Sequence, residues 1–115
     1  MHAEAPTYED TDWPQIVSLY DRLRQVWLSP VVALNRAVAL AMAAGPDTGL
    51  REVEALENDP RLAGYHYLPA IKADLLHRLG RHAEAATAYR AALDLTDNAA
   101  ERRYLAGPLR EVTGP

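Results

Sequence analysis

Proline and glycine cut this chain into pieces one helix long, and that punctuation limits what it can fold into more than any other feature. Pro14, Pro30, Pro46 and Pro60, with Gly45, Gly80 and Gly107, divide most of the chain into helix-sized stretches, and Asp97-Asn98 marks a further start within 81–106. Proline has no amide hydrogen and clashes inside a helix but suits its first turn, whereas glycine suits the residue just past its end. Between the breaks Ala and Leu dominate: the chain is 49% hydrophobic yet contains no Phe. That favours helix over strand.

Six segments follow. Asp12 stands as the cap of a first helix over 13–27, with Pro14 in its first turn and Ile16, Leu19, Tyr20, Leu23, Val26 and Trp27 at helical spacing. Ser29-Pro30 starts a second over 30–44, closed by Gly45-Pro46; Asp47 or Thr48 starts a third over 48–58, stopped at Asn58-Asp59-Pro60. A connector with a turn at Gly64 leads to a fourth, carrying Leu68, Ile71, Leu75, Leu76 and Leu79 and stopped by Gly80. The fifth covers 82–95. A sixth begins after Asp97 or Asn98 and is expected to break at Gly107-Pro108. Residues 1–11 read as a polar arm, 12–106 as the helical domain and 107–115 as a flexible tail. Ile16, Leu19, Val38, Leu56, Ile71, Leu75, Tyr89 and Leu93 are expected to be mostly buried, and Trp13 and Trp27 to anchor the two ends of helix one.

Short turns force neighbouring helices into antiparallel pairs, so a repeat is the next test. Residues 68–98 place Ala73, Leu76, Gly80, Ala85, Tyr89 and Ala92 where the tetratricopeptide pattern asks for small, apolar, glycine, alanine, aromatic and alanine residues. Small residues let two helix axes approach, and an aromatic fills the gap to the next helix. The preceding segment offers Ala37, Gly45 and Leu56 in comparable places but lacks the aromatic. The expected fold is therefore all-α: antiparallel helical hairpins stacked as a short right-handed tetratricopeptide-like solenoid of about six helices. An ordinary helical bundle with one repeat-like hairpin is the rival.

Three longer strings go beyond the repeat: HAEAPTYEDTDWPQIVSLYDRL, SPVVALNRAVALA and DPRLAGYHYLPAIKADLLHRLGR. Together they resemble the C-terminal extension of a group of actinobacterial and other bacterial extracytoplasmic-function (ECF) RNA polymerase sigma factors, in which a tetratricopeptide-like domain follows the promoter-recognition domains. The resemblance covers nearly the whole chain. It implies a regulatory interaction domain in the cytoplasm, with the domains that bind polymerase and read the promoter missing here. Its implied partners are its own sigma domains, RNA polymerase or a signalling protein. Promoter DNA would be reached only through the missing domains. A free-standing tetratricopeptide adaptor for an unrelated protein or peptide is the alternative.

Charge and residue types narrow the chemistry. The net charge is −4, divided as ten acidic and four basic residues before Pro60 and six acidic and eight basic from Pro60 onward. No dense basic surface is available for a phosphate backbone, so direct nucleic-acid binding is not expected. There is no Cys, which removes disulfides and thiol chemistry and fits a reducing compartment. The N-terminus lacks a secretory pattern, and the apolar run Val31–Ala44 is too short to span a bilayer. Ser18 and Ser29 are the only serines, and the latter reads as a cap. Glu52, Glu54 and Glu57 read as a solvated acidic face, Arg102 and Arg103 as surface charges. His66, His77 and His82 lack the one-turn spacing of a helical metal pair. The reading is a binding module, not an enzyme, with no metal and no cofactor.

A contact surface remains to be placed. In stacked pairs the first helix of each lines the concave side, so helices two and four should present it, with Asn35, Arg36, Lys72, Asp74 and His77 as the polar candidates. Lys72 and Asp74 stand off the Ile71–Leu75 stripe, whereas Asn35 lies nearer the packed side. There a buried Asn and an Arg paired with a neighbouring acid are the simpler explanation. Some tetratricopeptide domains grip a terminal carboxylate with Lys and Asn. Here those places hold Ala70 and Asp74, and Asp74 favours a basic or neutral group.

Overall fold

In a computed structural model the protein is described over residues 12–26 and 29–113, and among these it is helical without a strand. The arm 1–11 and Trp27 lie outside the described residues. Local capping chemistry fixes most boundaries. In α1 (Trp13–Val26) the Asp12 carboxylate accepts the Gln15 amide at 3.1 Å. In α2 (Pro30–Ala44) the Ser29 hydroxyl accepts the Val31 amide at 3.2 Å, and Pro30 occupies the first turn.

α3 (Pro46–Leu56) begins earlier than the expected Asp47 or Thr48. Gly45, at φ 109°, ends α2 by donating to the Ala41 carbonyl and hands the chain directly to Pro46. Only glycine holds that backbone cheaply, and the amide that Pro46 lacks has no partner in a first turn anyway. Asp59 then caps a short 3-10 turn, Pro60–Leu62, by accepting the Arg61 amide at 2.9 Å. α4 (Tyr67–Arg78) is closed by Gly80 at φ 78°, with the Arg81 amide reaching back to the Leu76 carbonyl at 2.9 Å. α5 (His82–Asp94) follows.

The Asn98 side chain accepts the Glu101 amide at 3.0 Å and starts α6 (Ala99–Thr113). The expected break at Gly107-Pro108 does not occur: α6 runs through both residues to Thr113, so most of the segment read as a tail is helical. An internal proline costs about 3 kcal/mol. Leu105 is buried, and Leu109 and Val112 pack against the core on the same stripe. Burial of such side chains contributes about 1.5–3 kcal/mol each when complete, enough to offset the proline.

Each helix packs chiefly on its neighbours in sequence, and α2 also touches α4. One core runs from Leu34 on α2 to Leu105 on α6, and small residues populate its helix contacts: Ala37 and Ala41 on α2, Ala73 on α4, Ala85, Ala88 and Ala92 on α5. Of the positions expected in the interior, Leu75 and Tyr89 are buried, and Ile16, Val38, Leu56, Ile71 and Leu93 are half-buried. Leu19 is 51% exposed, contrary to expectation. Among the described residues α1 packs chiefly on α2, and Leu19, Leu23 and Val26 are exposed.

Gly49 marks the closest approach of α3 to α2. A Cβ there would stand 2.5 Å from the Ala41 Cβ and 2.9 Å from the Ala37 carbonyl oxygen. Gly49→Ala is therefore expected to destabilise the domain by about 1–2 kcal/mol, overpacking outweighing the gain in helix propensity. Gly64→Ala, where nothing lies within 4 Å, should leave the urea midpoint unchanged. A Gly49→Ala midpoint equal to or above that of the parent would show that the two helices can separate without cost.

Candidate functional site

α2 and α4 touch only lightly, and α6 packs on α5. Between them lies an open hollow of about 380 Å³. Val38 and Ala41 of α2 form one wall, Ile71 and Leu75 of α4 the floor, Leu105 and Pro108 of α6 the other wall. Tyr67, Asp74 and Arg78 from α4, Tyr89 from α5 and Tyr104 from α6 add the polar groups. Concave, mostly apolar hollows with a few convergent polar groups are the usual form of binding sites.

The α4 contribution follows from one helical stripe, since positions 67, 71, 74, 75 and 78 share a face. Arg78 forms an ion pair with the Asp74 carboxylate at 3.2 Å, with both side chains about half exposed, and donates to the Met42 sulfur at 3.1 Å. A pair of this kind, one helical turn apart in water, contributes about 0.3–0.5 kcal/mol, so Asp74 exchanges partners readily.

Tyr89 is 3% exposed, and its hydroxyl makes no hydrogen bond to any described residue. Burial above all, with the carboxylate of Asp74 adding to it, pushes this phenol up to about 12, so it stays a neutral donor throughout the physiological range. At the rim, Tyr67 donates to Glu101 at 2.9 Å, and His66 and Thr96 reach the same carboxylate at 2.9 Å and 2.7 Å. The Thr96 and Tyr67 hydroxyls, and after them His66, hold the Glu101 carboxyl below its ordinary range, while Glu101 raises the Tyr67 phenol. This cluster ties the start of α4 to the first turn of α6 and so fixes the width of the hollow at that end.

The five residues singled out in the sequence scatter. Asp74 lines the hollow. Lys72, two positions away, faces the other side of α4, where it pairs with Glu57 of the α3 C-terminus at 2.8 Å beside a second, shallower hollow against α5. The two therefore do not form one surface. Arg36 donates to Asp21 of α1 at 2.6 Å and to Glu52 of α3 at 3.1 Å, tying three helices together. Asn35, expected near the packed side, is exposed. His77 stands with its ring 5.5 Å from that of His82 across the Gly80 turn. Among the described residues no group of three or more His, Asp or Glu is arranged to hold a metal, and no helix is long and apolar enough to cross a membrane. Tyr67 and Tyr104 were missed in the sequence. The signal for Tyr67 was its place four residues before Ile71 on the face that also carries Asp74.

The structure is an all-helical domain with an open hollow that three tyrosines line. The chain is similar to an uncharacterized protein of Rhizobium meliloti (strain 1021), with 45% identity over 105 residues. The match covers 91% of this chain and 24% of that protein, so the chain spans about a quarter of the length of the curated relative it matches. No family model and no solved structure matches the sequence.

Tyr89 gives a test of this environment in the alkaline range. Its phenol is raised in the fold from 10.0 to about 12, so the stability linked to its proton is fully present below about pH 10 and is lost as pH rises towards 12. Tyr67, raised in the same direction, adds to the loss. The urea midpoint should fall over that interval, and less steeply in Tyr89→Phe. Equal slopes would show that the Tyr89 hydroxyl titrates as it does in water.

Proposed function

We propose that this chain is the protein-interaction and regulatory domain of an ECF sigma factor: a short right-handed tetratricopeptide-like stack, cytoplasmic, acting by contact and without catalysis. It docks onto its own sigma domains, RNA polymerase or a signalling partner and thereby modulates transcription initiation. The observation that carries the docking part is the groove across α2, α4 and α6, with an apolar floor and a buried tyrosine hydroxyl that has no partner among the described residues. Buried polar groups are as a rule hydrogen-bonded, to protein or to water, so a hydroxyl on this hollow is a donor that a docked segment can use. The sigma-factor part rests on the three strings that resemble that family. A relative of which the matched region is 24% is in keeping with a domain carried on a longer chain.

The test is transcription reconstituted from core RNA polymerase and the sigma chain that contains these residues, intact or ending before Asp12. Removal of the domain should change output from the cognate promoter severalfold, whereas residues 12–113 alone should give no sequence-selective shift of duplex DNA. Unchanged output on truncation would refute regulation by this domain. A reading frame without promoter-binding domains ahead of Met1 would leave the adaptor reading in its place.

A further inference from the structure

We infer that the groove receives a single cationic side chain, Lys or Arg, presented by an otherwise apolar peptide segment. The inference rests on the docking reading and names the chemistry of its ligand. Three tyrosines reach the groove from three different helices, Tyr67 from α4, Tyr89 from α5 and Tyr104 from α6. Aromatic faces attract cations. The Asp74 carboxylate lines the same hollow, paired among the described residues with Arg78 of the next turn at 3.2 Å. An incoming cation, partly shielded from water by the groove, competes well against a pair that lies half in solvent.

The apolar floor suits the ligand's stem. Lys and Arg carry several methylenes before their charge, and Ile71 and Leu105 can cover these while the charged end stays at the rim. A hollow of about 380 Å³ has room for one long side chain with the adjoining backbone. The Tyr89 hydroxyl offers a second contact. It lines the hollow and stays a neutral donor, from which a peptide carbonyl beside the inserted side chain can accept a hydrogen bond. Anionic ligands meet Asp74 in the wall and Glu101 held at the Tyr67 hydroxyl, with Arg78 the one cation among the residues lining the hollow. The sum favours positive charge.

The experiment titrates the 115-residue chain with three acetylated, amidated peptides, Leu-Ala-X-Leu-Ala, where X is Lys, norleucine or Glu. Tyrosine ring signals are followed by NMR. The Lys peptide should bind at least tenfold more tightly than the norleucine peptide, and the Glu peptide more weakly than either. Asp74→Asn should bring Lys down to the norleucine level, and Tyr104→Ala, at a position 75% exposed, should weaken the Lys peptide several-fold. Arg78→Ala frees Asp74 and should tighten it, a gain that misfolding cannot produce. Equal affinity for all three peptides, preference for Glu, no movement of the tyrosine signals, or no gain in Arg78→Ala would each overturn the proposal. If truncation still changes promoter output while the peptides fail, the docking reading stands and only this ligand chemistry falls.

Discussion

The structure depends on how closely α3 can approach α2. Gly49 has no Cβ, and the space one would need is already taken by Ala41 and by the Ala37 carbonyl. The same economy recurs between α4 and α5, where Ala73 meets a helix whose inner face carries Ala85, Ala88 and Ala92. Alanine and glycine at these contacts let the helices approach closely, while Leu34, Val53 and Leu76 fill the core beside them. The one-residue link at Gly45 and the tight turn at Gly80 keep the paired helices antiparallel from their first turns.

Val38, Ile71, Leu75, Tyr89 and Leu105 line a hollow to which α2, α4, α5 and α6 all contribute. Because α2 and α4 touch only lightly, it stays open as a groove. The Glu101 cluster with Tyr67, His66 and Thr96 then sets its width at one end.

Similar polar residues acquire different tasks from their position on this frame. Arg36 is used up by Asp21 and Glu52 and ties α1 and α3 to α2, while Lys72 is matched by Glu57 on the side away from the groove. Asp74 alone among the five candidates combines a place in the groove with a partner that is readily exchanged. A charge interrupting an apolar helix marks a site only when its neighbours leave its valence open.

Much of the fold was legible in the sequence because caps and turns act over a few residues. Asp12, Ser29, Asn98, Gly45 and Gly80 announce helix ends by local hydrogen bonding and backbone freedom alone. Helical spacing set Asp74 with Lys72, off the Ile71–Leu75 stripe; the structure places Asp74 on the face of Ile71 and Leu75 and Lys72 on another. Tertiary structure decided what depends on which neighbour arrives. Leu105, Leu109 and Val112 carry α6 through Pro108 because they meet the core, while Leu19 stays exposed because little among the described residues packs against α1 beyond α2. Lys72 and Asp74 were separable by the turn of the helix, yet only the packing of α3 and α5 on one side and α6 on the other settled which of them met a groove. Periodicity fixes the angle between side chains on a helix, but burial is set by surfaces that come from distant parts of the chain.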